Sequence, residues 1–186
     1  MRKLLLCLSL SFCCIAAAQP TSFGGITPGK TARNELKSLV NKFEIFSGDA
    51  FVGEMKQPKG AFVVGAIQDG LVYHVSVVLT SSPELKPALV EKYGPPEIKI
   101  GSIQTVICKN KFGASFNRHD GKEELLWPVK DGVQGGIQRL ASNCEDRISE
   151  FYVLRHNATV KAIEAKKAAQ LQKKSEESRR KLDGVL

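Results

Sequence analysis

The chain has 186 residues, 42% of them hydrophobic and 25% charged, and Lys and Arg outnumber Asp and Glu by 27 to 19. Residues 23–156 suffice for one domain with a genuine core that needs no metal to fold. Eight basic and four acidic residues lie between Lys161 and Asp183, so much of the positive excess is local. The remainder is nearly neutral, which excludes the broad basic face that nucleic-acid binding requires.

The first eighteen residues have the pattern of a secretory signal peptide. Arg2 and Lys3 precede an apolar run over Leu4–Ile15, and three alanines end the segment before Gln19. That run has only twelve residues, whereas a membrane-spanning helix needs about 20, and no second run follows. We therefore expect cleavage before Gln19, no transmembrane segment, and a periplasmic or secreted protein.

Five cysteines occur, and three of them lie in the predicted signal peptide. Cys13 and Cys14 raise the alternative of a lipid-anchored protein, but bulky Phe12 disfavours acylation there. Removing the signal peptide leaves Cys108 and Cys144, and a pair of cysteines in an oxidising compartment predicts one disulfide. Closing a loop of about 37 residues would stabilise the fold by roughly 3 to 4 kcal/mol.

The stretch GGITPGKT at Gly24–Thr31 matches the phosphate-binding pattern G-x-x-x-x-G-K-[ST]. A working phosphate loop follows a buried strand, but only residues 19–23 separate it from the predicted cleavage site. Pro28 also lacks one of the N–H donors that a phosphate would need. We expect no nucleotide and no other cofactor, and interpret the stretch as the approach to a helix over Thr31–Phe43.

Two β-rich runs, Ala61–Ile67 and Leu71–Leu79, follow that helix. Asp69-Gly70 between them predicts a tight hairpin turn. A short helix then ends at Tyr93, because Gly94-Pro95-Pro96 cannot continue it.

The second half of the chain is again rich in β-type segments. Asp120-Gly121 predicts another hairpin turn, and Gly132, Gly135 and Gly136 predict a glycine-rich loop. The segments are Ile98–Cys108, Phe112–Phe116, Glu123–Trp127 and Ile148–Leu154.

From residue 157 onward the composition shifts to Ala, Lys, Glu and Gln, which are good helix formers. Val160, Ile163 and Leu171 are too few for a continuous apolar stripe, so residues 157–186 predict a polar, basic helical tail. A solvated tail is favoured over a coiled coil or a membrane-surface contact.

The order of elements predicts an α+β fold, an antiparallel sheet with two short packing helices and a long polar C-terminal helix. Residues 19–156 would form a single domain, with a hint of two similar halves at 24–79 and 80–154.

Candidate chemistry is sparse. His119 and Asp120 beside Glu123 and Glu124 could serve acid–base catalysis, although a turn favours such polar residues in any case. Three scattered histidines lack metal-ligand spacing, so no metal site is expected. We assign no catalytic residue.

The stretches GITPGKTARNELKSLV and LVEKYGPP, with the strand Gly70–Leu79, resemble small exported bacterial proteins of largely unassigned function. They also resemble the module of small outer-membrane-assembly lipoproteins and of β-lactamase inhibitory protein. The resemblance implies a binding module with helices packed on one antiparallel sheet, and it assigns no binding residue. Unlike those lipoproteins, this chain is not expected to carry a lipid-modified cysteine.

These observations predict an exported, non-enzymatic binding or adaptor protein whose partner is a protein or an anionic envelope component. The main alternative is a hydrolase acting on an envelope polymer through the carboxylates around His119–Glu124. A third is a structural tether that holds its partner through the tail helix.

Overall fold

The computed structural model describes residues 18–46, 49–145 and 147–183, with the side chains of 142–145 and 180–183 also outside the description. Nearly all of the predicted signal peptide, with Cys13 and Cys14, therefore lies outside the described residues. The described part forms three helices, α1 (Leu36–Leu39), α2 (Leu85–Tyr93) and α3 (Asn157–Asp183), and eight strands. The strands are β1 (Val40–Phe46), β2 (Ala50–Met55), β3 (Phe62–Gln68), β4 (Leu71–Val78), β5 (Ile98–Lys109), β6 (Ser115–Leu126), β7 (Val133–Glu145) and β8 (Ser149–His156).

All eight strands join one antiparallel sheet in the order β1-β2-β3-β4-β8-β7-β6-β5. Each half of the chain contributes one short helix followed by a four-stranded meander, and the last strands of the two meanders, β4 and β8, pair at the centre. The predicted α+β fold, with two short helices and a long polar C-terminal helix, is confirmed.

The core lies on the face of the sheet that α1 and α2 cover. Leu36 of α1, and Leu89 and Tyr93 of α2, join the buried side chains of that face in one apolar cluster. Trp127 is fully buried at its centre, with its ring centroid 6.1 Å from that of Tyr93 and 6.3 Å from that of Tyr152. Its Nε1 donates to the Gly94 carbonyl at 2.9 Å, so the polar atom of this large side chain is satisfied.

The first predicted helix is much shorter than its apolar spacing suggested. Only Leu36–Leu39 are helical, and Val40 already pairs with Met55 in the sheet. The segment from Val40 onward holds β-branched and aromatic residues, which pack well on a pleated surface. Strand pairing therefore overrides the helical spacing, and both β1 and β2 were missing from the sequence prediction.

The Asp69-Gly70 hairpin is confirmed, with positive φ angles of 53° and 79° at the two turn residues. The Asp120-Gly121 turn was wrong. Both residues lie inside β6, where the register to β7 shifts between His119 and Gly121. Gly121 has a φ of 124°, and a Cβ there would lie 2.4 Å from the Ser102 carbonyl oxygen, so this glycine serves a β-bulge.

The predicted glycine-rich loop was wrong for Gly135 and Gly136, which lie inside β7, whereas Gly132 does lie in the turn before that strand. A Cβ on Gly136 would come within 2.5 Å of the Leu126 side chain and 2.9 Å of the Leu125 carbonyl oxygen. These glycines therefore permit a close approach between neighbouring segments.

Helix α3 begins directly after β8. The Asn157 N–H donates to the Gly132 carbonyl at 2.9 Å, and Val160 and Ile163 are half-buried. Residues 164–179 are all exposed, so α3 leaves the domain after about two turns and continues in solvent.

Candidate functional site

The phosphate-loop motif serves as a structural turn. The N–H of Gly29 donates to the Val72 carbonyl at 2.7 Å, and those of Lys30 and Thr31 donate to the Thr27 carbonyl at 3.1 Å and 2.9 Å. The Thr31 hydroxyl, 5% exposed, accepts from the Thr27 N–H at 2.8 Å. These three amides are committed within the chain, whereas a phosphate cradle needs them free.

The four residues of the hydrolase alternative do not form one site. Glu123 and Glu124 are neighbours in β6, so their side chains point to opposite faces of the sheet. His119 lies beyond the bulge, about 13 Å along the strand from Glu123 at 3.3 Å per residue, and Asp120 is exposed.

Glu123 belongs to a row of ion pairs on the helix-covered face. It lies 2.6 Å from Lys99 Nζ and 2.7 Å from Arg139 Nη1. Hydrogen bonds from these two cations lower the pKa of Glu123. Arg139 Nε also donates to Glu150 at 3.1 Å, and Glu150 accepts from Lys86 of α2 at 2.8 Å. These ion pairs connect α2 to four strands. Glu123 therefore has a structural role as one member of the row.

Glu124 has its own cations on the opposite face. Arg155 Nη2 lies 2.7 Å and Lys122 Nζ 2.9 Å from its carboxylate, and Gln138 Nε2 donates to it at 2.8 Å. Burial opposes the ionisation of Glu124, but these three hydrogen bonds outweigh it and hold its pKa at about 2. A general acid needs a raised pKa, so Glu124 is suited to holding Arg155 and Lys122 in place.

His74 lies beside this cluster, directly opposite Arg155 in the β4–β8 pairing. Its Nε2 is 3.1 Å from the Ser76 hydroxyl. Burial, with the positive charge of Arg155 second, lowers the pKa of His74 to about 4. The imidazole is therefore neutral at pH 7.

Glu124, Arg155 and His74 lie on the sheet face opposite α1 and α2, which we call the open face. Cross-strand pairing carries this face across the whole sheet. One register row of the open face consists of Val52, Val64, Ser76, Val153, Gly136, Leu126 and Ile98.

Large apolar side chains stand exposed at both ends of the open face. Phe46 and Phe62 are 47% and 42% exposed at the β1–β3 end, and Ile98 and Ile100 are 45% and 53% exposed on β5. Between them the face is mixed in character and half-buried to fully buried, and the first turns of α3 border the Glu124 cluster. Exposed aromatic and aliphatic side chains of this kind are candidate anchors for a partner.

Two concavities border the open face. One of about 330 Å³ is lined by Val52 and Phe62, with the Lys42–Glu54 ion pair of 3.3 Å at its rim. The other, of about 220 Å³, lies between the first turns of α3 and the sheet, and its lining includes Ile100, Glu124 and Arg155. Both are shallow grooves beside a broad face, which suits a macromolecular partner better than an enclosed small ligand.

Cys108 is buried, with 4% exposure. The side chain of Cys144 lies outside the described residues, so the Cys108–Cys144 disulfide stays a prediction. Within residues 18–46, 49–145 and 147–183, no three or more His, Cys, Asp or Glu residues are grouped so that they could hold a metal ion. No helix in those ranges has both the length and the apolar character needed to cross a membrane.

Sequence reasoning singled out Glu124 but found neither its partners nor the face. It placed Glu124 beside a turn, counted His74 only among three scattered histidines without metal-ligand spacing, and left Arg155 unremarked. Arg155 meets His74 only because β4 and β8 are neighbours, and that pairing joins residues about eighty positions apart. The sequence of β8 gave no signal for this contact, because four consecutive apolar residues separate Glu150 from Arg155.

Comparison with known proteins adds no relative. The chain matches no protein-family model, no curated protein and no solved structure.

Proposed function

We propose that the chain is an exported, non-enzymatic binding or adaptor protein of the cell envelope, and that its open face binds a protein partner. The observation that carries the proposal is the exposure of Phe46, Phe62, Ile98 and Ile100 on a sheet face that α1 and α2 leave uncovered. Aromatic and aliphatic anchors of this kind dominate binding energy at protein interfaces.

The exposed part of the open face is smaller than the sheet itself. Eight strands spaced about 4.8 Å apart and about six residues long span roughly 34 Å by 20 Å, but Val153, Leu126 and Glu124 on this face are buried. The area that a partner can contact therefore lies mainly at the two apolar ends of the face.

The polar centre of the open face favours a specific partner over non-specific adhesion. Arg155 and Lys122 are held by Glu124, so their positions are fixed before a partner arrives. Prepositioned charges improve specificity and orientation more than raw affinity.

Export to the periplasm or the medium rests on residues 1–18 and on cysteine use. Cys108 is buried, and Cys144 is the one other cysteine after residue 14. Both observations support a Cys108–Cys144 bridge, and such bridges persist in oxidising compartments. The resemblance to exported binding modules agrees with this assignment.

The hydrolase alternative gains no support from the geometry. Glu123 and Glu124 each have two cationic partners and lie on opposite faces of the sheet. A glycoside-type reaction needs two carboxyl groups facing one substrate bond.

The proposal is tested by capture from an envelope extract on the immobilised protein, with Phe62→Arg and Ile100→Arg as variants. A cation placed among the anchors should reduce the amount of captured protein at least about tenfold, because it replaces an apolar contact with a charge that must lose its hydration. Leu171→Arg is the matched control, since Leu171 is equally apolar and 68% exposed but lies on α3.

Circular dichroism should show all three variants folded, because each changes an exposed side chain. Equal capture by the wild type, Phe62→Arg and Ile100→Arg would rule out the open face as the binding surface. Loss with Leu171→Arg alone would assign partner binding to the tail helix instead.

A further inference from the structure

The β5–β6 hairpin extends past the rest of the sheet. Among the residues that the structure describes, pairing between β6 and β7 reaches no further than His119, whereas β5 and β6 pair on to Lys109 and Ser115. Four further residue pairs at about 3.3 Å each give a two-stranded arm of roughly 13 Å. We call residues 105–119 the hairpin arm.

The hairpin arm carries the most exposed large apolar side chains in the described part of the chain. Phe112 at its tip is 82% exposed, and Ile107 is 75% exposed. Ile107 and Lys109 are two residues apart in one strand and therefore share a face of the arm. Apolar side chains this exposed at a narrow tip are typical of interaction sites.

Charge on the hairpin arm has one sign. Residues 105–119 contain three Lys or Arg residues and no Asp or Glu. Lys109 and Lys111 flank the tip, and Lys111 Nζ lies 5.0 Å from the centre of the Phe112 ring. The tip therefore presents an aromatic ring and positive charge together.

Hydrogen bonds hold the tip in one conformation. The Asn110 side-chain oxygen accepts from the N–H of Phe112 at 2.9 Å and of Ala114 at 3.0 Å. The Asn110 N–H donates to the Ala114 carbonyl at 3.1 Å, and Gly113 closes the turn with a φ of 83°. Phe112 is thus presented outward by a preorganised turn, which lowers the entropy cost of binding.

We propose that the tip of the hairpin arm docks on an anionic lipid bilayer, with Phe112 in the headgroup region and Lys109 and Lys111 against the lipid phosphates. An apolar ring with flanking lysines matches the apolar and anionic layers of such a surface. A narrow convex tip offers far less area than the roughly 800 Å² per partner of a stable protein interface, so a bilayer is favoured over a protein. This inference does not depend on what the open face binds.

Fluorescence gives a direct test, because Trp127 is the single tryptophan of the chain and is fully buried. The Phe112→Trp variant places a second, exposed reporter at the tip, and Leu171→Trp places one on α3 as a matched control. Adding vesicles of phosphatidylcholine mixed with phosphatidylglycerol should shift the emission of Phe112→Trp to the blue, while pure phosphatidylcholine vesicles should not. Leu171→Trp should show no shift with either.

Vesicle co-sedimentation measures how strongly each variant binds to the vesicles. Phe112→Ser should weaken partition into the anionic vesicles about tenfold, because an aromatic side chain no longer leaves water. The double change Lys109→Gln with Lys111→Gln should also weaken it, and added salt should weaken binding of the wild type. Lys173→Gln with Lys174→Gln removes the same charge from α3 and should bind as the wild type does.

Three results would overturn the proposal. The first is no blue shift with anionic vesicles, and the second is an equal shift with pure phosphatidylcholine. The third is loss of binding with the α3 variants but not with Phe112→Ser. If the wild type ignores vesicles and Phe112→Ser instead loses a captured soluble protein, the arm is a protein contact and the bilayer assignment is wrong. If the hairpin arm binds the vesicles, the open-face variants Phe62→Arg and Ile100→Arg should bind them as the wild type does.

Discussion

His74 lies opposite Arg155 in the β4–β8 pairing and Glu124 lies 2.7 Å from the same arginine, and their protonation affects stability in the same direction. Glu124 has its pKa lowered from 4.5 to about 2, so its stabilising contribution is lost as the pH falls through that window. His74 has its pKa lowered from 6.5 to about 4, so its protonation disfavours the folded state. Lowering the pH therefore reduces the free energy of unfolding through both residues.

We predict that the free energy of unfolding falls as the pH drops from about 6.5 to about 4, by up to about 3 kcal/mol from His74 alone. In this window the unfolded chain binds a proton at His74 and the folded chain does not. His74→Gln should flatten the decline, as measured by urea unfolding at several pH values. His119→Gln is the control, and an unchanged slope in His74→Gln would contradict the assignment.

At the scale of the elements, close packing between β6 and β7 depends on Gly136. We predict that Gly136→Ala lowers the free energy of unfolding by about 2 to 3 kcal/mol, because the added Cβ meets the Leu126 side chain and the Leu125 carbonyl. Gly70→Ala is a suitable comparison, since nothing lies within 4 Å of its Cβ position and only its φ of 79° is strained. It should cost about 1 kcal/mol. Equal urea midpoints for the two variants would contradict the packing argument.

The elements also show what sequence patterns can and cannot predict. The Asp69-Gly70 hairpin and α2 were predictable because their turn and stop residues act locally. Strand β7 was missed because Gly135 and Gly136 suit a loop until Leu126 and Pro20 are packed against them. The bulge at Gly121 was mistaken for a turn because the contact that requires a glycine there comes from another strand. That contact is with the carbonyl oxygen of Ser102 in β5.

For the whole molecule, α3 divides into a packed start and a solvated remainder. We predict that deleting residues 167–186 changes the free energy of unfolding by less than about 0.5 kcal/mol, because the described side chains from 164 to 179 are all exposed. Deletion from Asn157 should destabilise the domain clearly, since Val160, Ile163 and the Asn157–Gly132 hydrogen bond are lost. Thermal unfolding of the two truncations makes the comparison, and a large loss with the shorter deletion would show that the distal helix packs on something.

The open face also exists only at the scale of the whole molecule, because strands from both halves of the chain form it. Its apolar ends belong to β1–β3 and β5, and its charged centre joins β6, β7 and β8. No single strand has a pattern of polar and apolar residues that reveals this surface. It could not be predicted until the order of the strands in the sheet was known. Local sequence patterns were enough to predict the fold class, but not the proposed binding surface.

The pairing of β4 with β8 has a kinetic consequence. Each meander pairs strands that are close in sequence, so loop closure within a half is inexpensive and fast. The seam at the centre joins His74 to Arg155, about eighty residues away, and must await both halves. We therefore expect two nascent half-sheets to form first and the molecule to acquire its continuous open face only in the last cooperative step of folding.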